Sequence, residues 1–113
     1  MTRHTGPTTA TRELVLHRST YRCERCSDEV WAGFHIHHRR PRGMGGTSRE
    51  DTNHPSNLLV VCPACHTWIE ANRLAALELG YLVRQHDNPA TVPVVTPWGR
   101  VLLTADGRYE EAP

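Results

Sequence analysis

Two CxxC pairs place the tightest constraint on how this chain of 113 residues can fold. All four cysteines belong to these pairs, Cys23 with Cys26 and Cys62 with Cys65, and 35 residues separate the two pairs. Two residues between cysteines let both thiolates of one knuckle turn toward the same ion, and two knuckles supply the four ligands that structural Zn²⁺ prefers. We therefore predict a structural four-cysteine zinc site, in which no ligand position is left for chemistry.

The same cysteines have two other interpretations, a pair of disulfides or a redox-active CxxC. Disulfides are disfavoured because the N-terminal residues have no apolar stretch typical of a secretory signal, and a redox motif does not need a second pair. Zinc also fits the composition, since only 38% of residues are apolar and Gly and Pro number eight each. A large hydrophobic core is then not expected, and zinc binding worth about 10 kcal/mol would supply the missing stability.

Charge is divided unevenly along the chain. The 13 basic residues are all Arg, and residues 1–49 carry nine of them against four acids, whereas residues 50–113 carry four against eight acids. The first part is therefore the predicted face for a polyanion. No run approaches the ~20 apolar residues of a membrane-spanning helix, so we expect a soluble, cytoplasmic protein that does not contact a membrane.

The hydrophobic pattern predicts an α+β fold in three parts. Residues 1–11 have no periodicity and are predicted to be a flexible arm, residues 12–80 the main domain, and residues 81–113 a small antiparallel β appendage built from runs at 81–85, 92–96 and 100–104. A short helix is expected over residues 11–20 with Thr11 as its N-cap. An extended stretch over 29–41, a strand over 57–61 and a helix from about Cys65 to Gly80 follow.

Five of the eight histidines lie between or directly beside the two knuckles, and a saturated zinc site leaves them for a second centre. They are His35, His37, His38, His54 and His66. The order of the first CxxC, HIHHRRPRGMGG and NLLVVCPACH resembles the HNH nuclease family in its CxxC-containing form, from about Cys23 to Glu70. The resemblance implies a ββα-metal (His-Me finger) unit, a hairpin packed on a helix, that binds one divalent ion and a DNA phosphate.

The resemblance also implies a role for particular residues. His37 matches a metal ligand, and His38 matches the general base that takes a proton from the attacking water. Asn57 matches the residue that fixes the geometry of the hairpin and of the base, and His66 matches a ligand at the start of the helix. Glu70 lies one turn further on, where the family often has His or Asn; it is either an oxygen ligand for Mg²⁺ or Mn²⁺ or an ordinary exposed side chain.

The sequence also predicts the surroundings of several other polar residues. Arg39, Arg40 and Arg42 directly follow the proposed base, and we expect them to pair with phosphates beside the scissile bond, with a solvated basic loop as the other interpretation. His35 and His54 are expected to be solvated. Asn53 is expected to be a turn residue before Pro55.

These expectations predict a metal-dependent endonuclease that hydrolyses DNA with little sequence preference, because no helix-turn-helix or finger array is recognisable. The sequence is also similar to small HNH proteins that phages encode beside their packaging genes, which implies a terminase large subunit as a partner and the host cytoplasm as its location. The alternative is a zinc-stabilised DNA- or protein-binding module without catalysis, in which His38 and Asn57 would have no task.

Overall fold

The structure, a computed structural model, describes residues 6–41 and 50–113. Its helices are α1 (Thr9–Arg18), α2 (Pro63–Ala71) and α3 (Arg73–Leu79), and its strands are β1 (His35–His38), β2 (Leu58–Val61), β3 (Val94–Thr96), β4 (Gly99–Leu103) and β5 (Tyr109–Glu111). The strands form two antiparallel sheets, β1-β2 and β3-β4-β5. The predicted mixed class of helix and sheet is confirmed, and no helix in the described ranges is long and apolar enough to cross a membrane.

The β1-β2 hairpin and α2 form the ββα unit that the sequence predicts. In the hairpin, His35 pairs with Val61 and His38 pairs with Leu58. All four residues of β2 are fully buried, as expected for an unbroken Leu and Val run with both faces covered. The chain then turns at Cys62 into α2, which has Pro63 at its first position, where a missing N–H costs nothing. Packing of α2 against β1 brings the histidines of the strand toward the first turn of the helix.

The helix predicted from Cys65 to Gly80 is two helices, because the chain breaks at Asn72. The backbone of Asn72 leaves the helical region, and its side-chain Nδ2 donates to the Trp68 carbonyl at 2.9 Å. Asn competes for backbone partners in this way, so it disfavours helix interiors. Gly80 ends α3 as predicted, with a left-handed φ of 85°, and a Cβ there would lie 2.0 Å from the Pro93 carbonyl oxygen.

Two other expectations about local structure are wrong. The N-cap of α1 is Thr8, whose hydroxyl accepts from the backbone N–H of Thr11 at 3.2 Å, so residues 9–11 are helical and not part of an arm. The first five residues of the predicted arm lie outside the described ranges. Residues 81–85 are not a strand, since Tyr81 N–H bonds back to the Ala76 carbonyl and Val83 N–H bonds to the Arg39 carbonyl.

The three-stranded C-terminal sheet shares one core with the ββα unit. Val94 and Leu103 are fully buried in the same apolar cluster as Val15 of α1. At the rim of this cluster the Tyr109 hydroxyl donates to Glu24 at 2.6 Å. Glu24 is a buried residue of the first knuckle and also accepts from the Val60 N–H of β2. The C-terminal residues therefore help to hold the first knuckle in place.

Candidate metal centres

The four cysteines form one cluster at the junction of the N-terminal knuckle and α2. Their sulfur atoms all lie within 4.8 Å of one another, and Cys26 Sγ is 3.8 Å from Cys62 Sγ. A tetrahedral zinc ion with Zn–S bonds of about 2.3 Å separates its sulfurs by about 3.8 Å, whereas a disulfide needs about 2.05 Å. The cluster therefore fits the predicted structural zinc and does not fit disulfides.

Hydrogen-bond donors surround this cluster. The Arg25 guanidinium donates to Cys65 Sγ at 3.2 Å, and the backbone N–H groups of Arg25 and Cys26 point at Cys23 Sγ. Arg25 is fixed by lying 3.8 Å above the centre of the Trp68 ring. Donors of this kind stabilise thiolates around a metal. Burial raises the pKa of Cys65 to about 11, so binding zinc must release protons.

A second group of ligands joins β1 to α2. His37, His66 and Glu70 each offer one donor atom, and these three atoms lie within 4.8 Å of one another. We call these residues the His-His-Glu trio. His66 and Glu70 are one turn apart on α2, so both can face the strand that carries His37. The structure thus brings the two predicted ligands His37 and His66 together with Glu70, which the sequence leaves as either a ligand or an ordinary exposed side chain.

The environment of His37 suits a metal ligand. Its ring is buried, and Nε2 lies 2.8 Å from the carbonyl oxygen of Tyr81. A carbonyl only accepts, so Nε2 carries the proton and Nδ1 keeps the lone pair for an ion. Burial lowers the pKa of His37 to about 4, which keeps the ring neutral near pH 7 in the form that binds metals.

The donors of the trio fit a divalent cation. Imidazole nitrogens favour transition ions, whereas Mg²⁺ prefers oxygen ligands and water, so this set suits Mn²⁺ better than Mg²⁺. Glu70 also accepts from Arg73 at 2.9 Å, and both side chains are about half exposed. A carboxylate has several lone pairs, so this surface ion pair leaves Glu70 able to bind an ion as well.

His38, the predicted base, contacts a residue that the sequence predicts only to lie in a turn. Its Nε2 lies 2.7 Å from Oδ1 of Asn53, at the end of the 3₁₀ turn Glu50–Asn53. His38 is only partly buried, whereas its neighbour His37 is almost fully buried. Nothing local in the sequence separates Asn53 from an ordinary turn residue, because the contact spans 15 positions and depends on how the hairpin closes.

Asn57 ties together the two segments that carry this pair. Its buried side chain accepts from the Arg40 N–H at 2.7 Å and donates to the Thr52 carbonyl at 2.9 Å. One bond holds the end of β1, and the other holds the 3₁₀ turn that ends at Asn53. Asn57 therefore has the geometry that its predicted role in fixing the hairpin requires.

The expected phosphate contacts of Arg39 and Arg40 are wrong, because both side chains point inward. Arg39 is 0% exposed and its guanidinium donates to four backbone carbonyls, those of Ser56, Gly80, Pro89 and Val92. Arg40 is 6% exposed, donates to the Asp87 carbonyl and pairs with the Asp51 carboxylate. Both guanidiniums hold the C-terminal segment against the hairpin. Arg42 lies outside the described residues.

The two histidines expected to be solvated are both exposed. The centre of the His35 ring lies 4.7 Å from that of His66, so His35 borders the His-His-Glu trio without belonging to it. His54 precedes the 3₁₀ turn Pro55–Asn57 and its side chain makes no cap bond there. Neither His35 nor His54 belongs to the cysteine cluster or to the His-His-Glu trio.

Comparison with known proteins agrees with this geometry. The family model described as HNH endonuclease matches residues 23–71, which contain both zinc knuckles, the β1-β2 hairpin and α2. No curated protein and no solved structure shows a significant match to the chain. The matched segment also contains the His-His-Glu trio together with His38 and Asn57. Residues 23–71 of this chain are therefore similar to the HNH endonuclease family.

Proposed function

We propose that the protein is a metal-dependent endonuclease that hydrolyses phosphodiester bonds in DNA. The observation that carries this proposal is the arrangement of two consecutive histidines at the end of β1. His37 belongs to the His-His-Glu trio, whereas His38 bonds instead to Asn53. Adjacent strand residues point to opposite sides, which separates ion binding from proton transfer in space. The match to HNH endonucleases supports this division of roles.

In this proposal the divalent ion would be held by His37, His66 and Glu70. When bound, such an ion polarises the scissile phosphate and stabilises the leaving oxygen. His38 accepts a proton from the attacking water at Nδ1, because its Nε2 is used by the Asn53 amide. By family resemblance, the products carry 5′-phosphate and 3′-hydroxyl ends.

We propose that DNA phosphates contact a cationic cavity beside the trio, in place of the buried Arg39 and Arg40. The cavity has a volume of about 340 Å³, and its charged lining is supplied by Arg73 and Arg84 beside apolar residues such as Leu77 and Leu82. Arg73 also pairs with Glu70, so the cavity adjoins the ligands of the ion. Contacts of this kind position a strand without reading its bases.

Arg84→Ala is expected to weaken DNA binding and to reduce the salt dependence of the affinity by about one phosphate contact. Arg84 is exposed, so its loss leaves no buried group without a partner. Fluorescence anisotropy of a labelled duplex at several salt concentrations measures this slope. Arg108→Ala, which removes an exposed Arg just before β5, is the matched control. Equal slopes for the two variants would remove this cavity from the DNA interface.

His66→Ala is expected to lower the affinity for Mn²⁺ by at least about tenfold while one zinc ion per chain is retained. The reason is that His66 supplies one of the three donors of the trio and none of the donors of the zinc cluster. Titration of Mn²⁺ followed by electron paramagnetic resonance, with zinc measured by mass spectrometry, separates the two sites. His54→Ala is the control, and an unchanged Mn²⁺ affinity in His66→Ala would argue against the trio as an ion site.

Cleavage of supercoiled plasmid tests the proposed function. Zinc-loaded protein freed of other metals is mixed with plasmid and given Mn²⁺, Mg²⁺, Ni²⁺ or no ion. We expect nicking or linearisation only when an ion is added, with Mn²⁺ more effective than Mg²⁺ because of the imidazole donors. If the folded, zinc-loaded protein binds DNA but does not cleave it with any ion, the non-catalytic binding module is favoured.

Because phosphate contacts do not read sequence, we propose that a partner selects the cleavage site. Following the resemblance to packaging-associated HNH proteins of phages that the sequence predicts, we propose a terminase large subunit for this role. Cleavage of a defined duplex with and without that subunit tests the proposal. A rate and a cleavage position that are unchanged by the subunit would contradict it.

A further inference from the structure

We propose that Asn53 is a positioning residue that selects the tautomer of His38 in which Nδ1 is the basic nitrogen. This inference rests on the proposed function, in which His38 is the base. It starts from the 2.7 Å separation between His38 Nε2 and Asn53 Oδ1. An amide oxygen only accepts a hydrogen bond, so the contact requires a proton on Nε2 and leaves the lone pair on Nδ1.

The opposite arrangement would disable the same ring. If an N–H donor faced Nε2, the proton of the neutral imidazole would lie on Nδ1, and Nδ1 could not accept a proton from water. The residue opposite Nε2 therefore decides which nitrogen is the base. An acceptor is needed at this place, and Asn53 provides one.

The position of Asn53 is itself well determined. Asn57 donates to the Thr52 carbonyl, directly before Asn53, and accepts from the Arg40 N–H, two residues after His38. The Arg39 N–H also donates to the Asn57 carbonyl at 2.8 Å. The segments that carry Asn53 and His38 are thus tied to the same buried residue. A preorganised acceptor of this kind holds a general base in one orientation without rearrangement during the reaction.

Three variants distinguish a positioning role from a structural one. Asn53→Ala removes the acceptor, and we expect kcat to fall by about 10–100-fold with KM changed by less than about threefold. Asn53→Asp keeps an oxygen acceptor, so we expect kcat within about threefold of wild type. Asn88→Ala is the matched control, since Asn88 caps another 3₁₀ turn through its Oδ1 and has no contact of this kind with His38.

A second measurement does not depend on activity. The ¹⁵N chemical shifts of the His38 ring, assigned by comparison with His38→Ala, report which nitrogen carries the proton in the zinc-loaded protein at pH 8. We expect the proton on Nε2 in wild type and Asn53→Asp, and a mixture of both tautomers in Asn53→Ala. A proton on Nδ1 in wild type, or an unchanged tautomer in Asn53→Ala, would overturn the proposal.

The two measurements separate failure of this inference from failure of the proposed function. A wild-type protein that does not cleave DNA but shows the expected tautomers supports the contact and contradicts the nuclease. A wild-type protein that cleaves DNA, with Asn53→Ala equally fast and with the same tautomer, overturns the role of Asn53 and leaves the nuclease standing. If Asn53→Ala does not fold, two other results still test the role of Asn53. A proton on Nδ1 in wild type, or a kcat of Asn53→Asp more than about threefold below that of wild type, would then overturn it.

Discussion

Removal of the structural zinc ion is expected to unfold the ββα unit. Zinc bound to four cysteines contributes about 10 kcal/mol or more, which is comparable to the whole free energy of unfolding of a small domain. The ion joins a knuckle before β1 to the start of α2, so its loss frees both ends of the unit. Buried thiols would also be left close together without a cation between them.

Circular dichroism and thermal unfolding, measured with and without a strong zinc chelator, check this prediction. Cys65→Ser is expected to behave like the chelated protein, because it removes a buried ligand of the cluster. Refolding after zinc is added back is the control for irreversible damage. A melting temperature that stays the same after measured loss of zinc would mean that the apolar core alone holds the fold.

His38→Ala is expected to reduce the rate of DNA cleavage by about 10²–10⁴-fold, the usual contribution of a general base. The fold and the zinc content should persist, because His38 is only partly buried and belongs to neither ligand cluster. DNA affinity should change little, since the proposed phosphate contacts lie elsewhere. Single-turnover cleavage of a labelled duplex at saturating Mn²⁺ measures the effect.

His54→Ala, at an exposed position close along the chain, is the matched control for this variant. It should cleave at the wild-type rate. Equal cleavage by His38→Ala and wild type would mean that another group activates the water or that a contaminating nuclease is being measured.

Features that depend on local spacing could be predicted from the sequence. The CxxC spacing follows from chain geometry over a few residues, and the four cysteines form the cluster that this spacing predicts. Gly80 likewise ends α3, because the left-handed backbone conformation at this position favours glycine. The meeting of His37 with His66 and Glu70 joins distant parts of the chain and is implied only by the resemblance to HNH nucleases.

Features that depend on distant partners could not be predicted. Arg39 follows two site histidines and suggests a DNA contact, yet its guanidinium is satisfied by carbonyls up to 53 positions away. Charge patterns alone do not show which arginines will be buried. Arg18, whose side chain pairs with Glu24, is a further buried example in the basic first part. Residues 81–85 have a strand-like pattern, but no neighbouring strand pairs with them in the part of the chain that the structure describes.

The Mn²⁺ dependence of DNA cleavage, compared between His66→Ala and His38→Ala, tests the central claim most directly. In the proposed mechanism His66 binds the ion and His38 accepts the proton. We expect His66→Ala to need a higher Mn²⁺ concentration for half-maximal cleavage and to regain rate as Mn²⁺ increases. We expect His38→Ala to keep the wild-type Mn²⁺ dependence and to have a maximal rate at least about 100-fold lower. Wild-type rate and Mn²⁺ dependence in both variants would contradict the assignment of this site.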